Sequence, residues 1–198
     1  MGIGKIDLAA AETLAQDIIT FVSPAMDRAE VAGSIRRRKP VVGDIEIVGI
    51  PADRERLIKL LSCTGMHIKP GVPGVVQWTP KSDAKYLRVH LSVGVNLDFF
   101  LGTPENWGGL FLMRTGSGVD ANGNSFNGFT PGIFSRWKKV SGGGRMTGAQ
   151  PTTVAGEQLP LREEGDFFDL LGMDFVPPVE RLDRKVIKKY VKSETQGG

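Results

Sequence analysis

Cysteine and histidine are almost missing from this chain: of its 198 residues, Cys63 is the single cysteine, and His67 and His90 are the two histidines. One cysteine cannot close an intramolecular disulfide, and so few sulfur and nitrogen donors exclude a structural zinc centre. Cys63 falls at the end of an expected helix and reads as a small packing residue. Long apolar runs are missing too. No stretch of about eighteen apolar residues is available to span a bilayer, and the N-terminus lacks the basic-then-apolar order of a secretory leader. We therefore expect a soluble, intracellular protein, neither secreted nor in a membrane. Strong charge imbalance is also lacking. A net charge of +3 and a pI of about 9.1 are compatible with a polyanionic partner but too mild to require one. A case for nucleic acid must rest on where the cations cluster. With 40% hydrophobic and 24% charged residues, the chain can bury one core or two small ones.

The densest chemistry lies in residues 33–48, which read GSIRRRKPVVGDIEIV. Residues two apart in a strand share a face, so Asp44 and Glu46 project together while Ile45 and Ile47 point into a core. Adjacent carboxylates repel, and a divalent cation between them relieves the repulsion. Hard oxygen donors suit magnesium, which also binds substrate phosphates. Upstream, Gly33 and Ser34 can bring backbone N–H groups and a hydroxyl close to a phosphate, and Arg37 offers a planar fork for its oxygens. The plainer reading is a half-buried edge strand after a basic surface loop. Either half alone favours that reading; the two together favour a site for a metal-bound polyphosphate.

Gly33-Ser34-Ile35-Arg36-Arg37 and Gly43-Asp44-Ile45-Glu46 resemble the palm signature of the family X DNA polymerases, the polymerase beta-like nucleotidyltransferases: Gly-Ser-x-Arg-Arg, then Gly-Asp-x-Asp. Glu46 departs from the pattern, standing where the family has its second aspartate. The resemblance implies that Gly33, Ser34, Arg37 and Gly43 bind the nucleotide. It also implies that Asp44 and Glu46 are catalytic carboxylates holding two magnesium ions, with manganese able to substitute. The family's third carboxylate lies on a neighbouring strand followed by apolar residues, and Asp98 is the candidate in register; taken alone, Asp98 reads as an outward-facing strand residue. In the family these groups lower the pKa of a primer hydroxyl for in-line attack on the α-phosphate. Lys5 stands where similar proteins carry a basic residue aimed at the terminal phosphate, the plainer reading being a solvated lysine.

Thr115-Gly116-Ser117 resembles the family's hinge before its thumb domain, which implies nucleotide contacts for Met113, Arg114 and Gly116. Many members have an aromatic pair where Met113 and Arg114 stand. Discrimination against ribonucleotides is then weaker if Met113 yields, and unchanged if Met113 fills the same volume. Residues 154–161, 163–172 and 176–181 resemble the thumb, in the same order, so the resemblance runs from about Lys5 to Leu182.

Periodicity and capping predict a helix over 8–22 with Asp7 as its cap and Pro24 at its end, a strand at 30–32 entering the Gly33-Ser34 turn, and a strand at 44–50. A helix at 53–61, a short strand at 75–78 and a hairpin of 86–91 with 95–100 follow. Thr103-Pro104-Glu105 has the form of a helix start leading to Arg114. Residues 118–148 read as a glycine- and asparagine-rich loop in which Asn122, Asn124 and Asn127 are candidates for a minor-groove contact. The basic, aromatic island at 134–139 is either a DNA-backbone contact or a helix surface. A helix with an acidic start is expected within 163–172, and residues 181–192 read either as a basic terminal helix near nucleic acid or as a solvated basic tail.

The resulting expectation is an α/β (α+β) fold: a palm with a mixed sheet at 1–115 and a small α+β thumb with a basic tail at 116–198. Its activity would be templated, metal-dependent addition of a deoxynucleotide to a primer 3′-hydroxyl, filling short gaps in DNA repair. It would act as a monomer on primer-template or gapped duplex DNA and nucleoside triphosphates, in the cytoplasm or wherever that DNA lies. The chain has no room before Asp7 for a domain holding the downstream DNA end, so no lyase activity is expected. The alternatives are a nucleotidyltransferase acting on RNA ends or another hydroxyl, and a catalytically silent DNA-end-binding protein.

Overall fold

A computed structural model describes residues 4–62, 75–77 and 85–193. The chain forms two compact units, Met1–Thr103 and Pro104–Gly198. The expected division after residue 115 lies at the end of a helix whose neighbours belong to the second unit, so the boundary falls earlier. No helix among the described residues is long and apolar enough to cross a membrane.

The first unit runs β1 (Ile6–Asp7), α1 (Leu8–Val22), β2 (Met26–Val31), α2 (Gly33–Arg36), β3 (Val41–Val42), β4 (Asp44–Pro51), α3 (Arg54–Leu61), β5 (Val75–Gln77), β6 (Tyr86–Leu91) and β7 (Asn96–Leu101). Asp7 caps α1 as expected, its carboxylate accepting the Ala10 N–H at 2.9 Å, and Asp53 does the same for α3 at Arg56. Both satisfy a donor that a helix start leaves open. The five-stranded sheet has the order β2-β4-β7-β6-β5. Its one parallel pair is β4 with β7; the other neighbours are antiparallel. Alternation sorts the faces. Ile45, Ile47, Leu87, Val89, Leu97 and Phe99 join Ala11, Leu14, Ile18, Val22 and Leu57 in one core under the helices, leaving Asp44, Glu46, Arg88, His90 and Asp98 to the opposite face. The expected turn at Gly33 is a short helix. The strand expected to reach Trp78 is described only as far as Gln77, and Cys63 and His67 also lie outside the described residues.

In the second unit, α4 (Trp107–Thr115), α5 (Phe129–Val140), a hairpin of β8 (Met146–Thr147) with β9 (Gln150–Pro151), α6 (Glu164–Leu170) and α7 (Ile187–Tyr190) surround their own core. Helix α4 begins at Trp107, so Thr103 is not its cap. Its first turn instead packs backbone to backbone: the Gly108 N–H donates to Leu161 O at 2.8 Å. A Cβ on Gly108 would overlap the Glu163 carbonyl, and one on Gly109 the Ala149 carbonyl. The expected loop at 118–148 contains α5, which carries the 134–139 island with Trp137 buried and Lys138 and Lys139 exposed, and the terminal helix is two short pieces, Arg184–Val186 and α7.

The charged centre of this unit is Arg181, fully buried. Its guanidinium forms a bidentate pair with Glu164 at 2.5 and 3.2 Å, and Nε donates to Val176 O at 2.8 Å. It lies 5.0 Å from the Phe175 ring centre, 5.3 Å from Phe168 and 5.8 Å from Phe129. Arg181→Ala should destabilise the protein by about 3–5 kcal/mol by leaving Glu164 buried without that guanidinium. Denaturant unfolding followed by circular dichroism measures it, and a loss below about 1 kcal/mol would show that the pair does not hold the unit together.

Candidate active site

Register brings the predicted carboxylates together. On the parallel pair, Glu46 is the Cα partner of Asp98, and Asp44 of Asn96, so three acidic side chains share one patch of the sheet's open face. Asp98 is only 4% exposed. Its two oxygens are held by Arg88 at 2.7 Å each, and the Tyr86 hydroxyl donates to one of them at 2.8 Å. The donors come from β6, where Arg88 is the Cα partner of Asp98. The Tyr86 ring stacks on Phe100 at 5.0 Å and carries the Arg88 guanidinium 5.6 Å from its centre. Next along, His90 Nδ1 lies 2.6 Å from Asn96 Oδ1. A small cavity of about 180 Å³ opens between Gly43, Asp44, Arg88 and Asn96.

Gly33 adopts φ +63°, and a Cβ there would overlap the Glu46 carboxylate. Glycine is required twice over at this position, for the left-handed backbone and for the close approach. It lets the first turn of α2 close over Glu46, with Arg37 N–H donating to Gly33 O at 3.1 Å. Ser34 Oγ is buried and has no hydrogen-bond partner among the described residues. Arg37 sits in the field of both Glu46 and Asp44. Burial lowers its pKa, and the two carboxylates oppose that. Asp44 is pushed above the ordinary carboxylate range, first by burial and then by Asp98, against the pull of Arg88 and Arg37. Its charge is under strain where it stands.

Lys5 is exposed just ahead of Ile6, whose strand partner Val42 precedes Gly43. Met113 and Arg114 lie half-buried in α4, with Gly116 buried at its end; all three belong to the second unit. The Thr115-Gly116-Ser117 segment is tied down there, Ser117 N–H donating to Arg181 O at 3.0 Å and Thr130 N–H to Ser117 O at 3.1 Å. Asn127 donates its amide to Asp120, and Asn124 accepts from Phe126 N–H.

The donor chemistry of Asp44, Glu46 and Asp98 suits a hard divalent ion, but the side chains are not drawn up around one. Among the described residues, no three Asp, Glu, His or Cys side chains are grouped to hold a metal. Guanidinium groups balance the carboxylate charge in this structure. Sequence reasoning missed Arg88, Tyr86 and His90. The signal was available, because a hairpin turning at Ser92-Val93-Gly94 pairs position 88 with 98. No family model matches the chain, and no curated protein matches it.

The Tyr86 phenol is pushed up to about 12 from 10.0 by burial and by its bond to the Asp98 carboxylate. A raised folded-state pKa means that this contact contributes fully below pH 10 and is lost as pH rises toward 12. Tyr190 is the only other tyrosine, so phenolate absorbance of folded Tyr190→Phe protein reports Tyr86 alone. Its midpoint should lie near 12 and fall toward 10 when Asp98→Asn is added. A midpoint of 10 with Asp98 intact would rule out the hydrogen bond.

Proposed function

We propose that this chain is a metal-dependent nucleotidyltransferase that adds deoxynucleotides to a DNA primer 3′-hydroxyl, with the first unit as palm and the second as thumb. The observation that carries the reading is the register of the parallel β4–β7 pair, which sets Asp44, Glu46 and Asp98 side by side beneath the Gly33 turn. Asp44, Glu46 and Asp98 would hold magnesium, or manganese in its place. When bound, two such ions would neutralise triphosphate charge and lower the pKa of the attacking hydroxyl. The chain's own groups divide the remaining work. Arg37 and the buried Ser34 hydroxyl face the phosphates, which would supply the acceptor that Ser34 lacks. Arg88 would hold Asp98 in its orientation until the substrate complex forms.

A second reading is favoured by one observation, the full engagement of Asp98 by Arg88 and Tyr86. On that reading the protein binds DNA ends without transferring a nucleotide. Primer extension on gapped and open templates, in magnesium and in manganese, separates the two. The transfer reading expects extension by the wild type, loss of it in Asp44→Ala, Glu46→Ala and Asp98→Ala with the fold retained, and activity kept by Glu46→Asp. Near-wild-type extension by Glu46→Ala would sink it.

Arg37→Ala should weaken nucleotide affinity by about 1.5–3 kcal/mol, the range for a hydrogen bond to a charged group, while affinity for DNA alone changes little. Equilibrium binding of each ligand checks this. An equal loss for DNA alone would reassign Arg37 to a DNA-binding surface.

A further inference from the structure

Phe126 is 70% exposed, the most exposed large apolar side chain among the described residues. An aromatic ring left in water contributes little to folding, yet this one is held in place. It lies in the short helical turn Ser125–Asn127. The Arg184 guanidinium sits 4.8 Å from its ring centre and donates to Phe126 O at 3.4 Å. Arg184 is itself fixed, because Gly132 of α5 lets the backbone of the 184–187 segment pack so closely that a Cβ would meet Arg184 Cβ at 2.7 Å and Ile187 Cδ1 at 2.6 Å.

Beside this platform opens a cavity of about 470 Å³ whose lining includes Asp120, Asn122, Asn127, Asp183, Arg184, Lys185 and Lys188. Both carboxylates are already engaged. Asp120 accepts the backbone N–H groups of Asn122 and Asn124 and the Asn127 amide, which hold it below the usual carboxylate range, Asn124 contributing most. Asp183 caps the Lys185 N–H at 2.7 Å. Three cations outnumber the two carboxylates of the lining, so the cavity keeps a net positive charge, with Lys185 in the field of Asp120. A rigid aromatic face beside a cation-lined hollow of nucleotide size matches the chemistry of an unpaired nucleotide, whose base stacks while its phosphate meets the cations.

We propose that this face of the second unit binds single-stranded nucleic acid, with one unpaired base stacked on Phe126 and its phosphodiester held by Arg184, Lys185 and Lys188. The site contains no reacting group and does not rest on the transfer reading. The test uses the full chain without metal or nucleotide. Fluorescence anisotropy with labelled oligothymidine, and with a blunt duplex of equal length, is measured across a salt series. Phe126→Ala should weaken single-strand binding about tenfold, as loss of base stacking does, leave duplex binding unchanged and be rescued by Phe126→Tyr. Lys185→Gln with Lys188→Gln should reduce the log–log salt slope by about 0.7 for each phosphate no longer neutralised. In Phe126→Trp, added oligothymidine should quench the new fluorescence. Unchanged single-strand affinity in Phe126→Ala would overturn the proposal, as would equal losses for single strand and duplex or no binding of oligothymidine by the wild type. Phe126 is exposed, so its variants should fold as the wild type does, which circular dichroism checks.

Discussion

Everything on the first unit's open face follows from one pairing, the parallel register of β4 with β7. It sets Glu46 beside Asp98 and leaves Asp44 one step along. Two carboxylates about 5 Å apart repel by roughly 3 kcal/mol at an effective dielectric near 20, and here a third is close by. A strand pair loaded in this way needs cations to stay closed. Arg88 reaches Asp98 from β6, and Arg37 lies in the field of Asp44 and Glu46 from the end of α2. Asp44 is pushed above the ordinary carboxylate range first by its own burial and only then by Asp98, while Arg88 and Arg37 pull the other way.

The same pairing explains why the turn before β4 is built as it is. Closing α2 over Glu46 requires a residue without a Cβ in a left-handed conformation, and Gly33 meets both needs. The glycine, the basic run and the acidic strand are thus one construction, in which each part is costly without the others. That interdependence is why the segment stood out in the sequence.

Much of this was legible where local chemistry decides conformation. The Asp7 cap, the β4 alternation and the hairpin at Ser92-Val93-Gly94 are set by neighbours in sequence, and they appear in the structure. The start of α4 was misread because Thr103-Pro104-Glu105 has cap chemistry, while the actual start depends on Gly108 and Gly109 meeting distant carbonyls. Helix α5 was hidden by the glycine- and asparagine-rich residues before it; its apolar side, Phe129, Ile133 and Trp137, is buried only by the surrounding core. Arg88 was passed over because it reads as one exposed residue of an alternating strand, and only cross-strand pairing gives it Asp98. Contacts between residues distant in sequence decided all three.

Arg181 bears on how the second unit can be inherited. Its guanidinium is shared among α5, α6 and the segment from Phe175 onward, and its carbonyl holds Ser117. A crossover that exchanged only part of residues 117–181 with an unrelated sequence would separate a buried cation from its counter-charge or its aromatic cage. The unit is therefore indivisible through its middle.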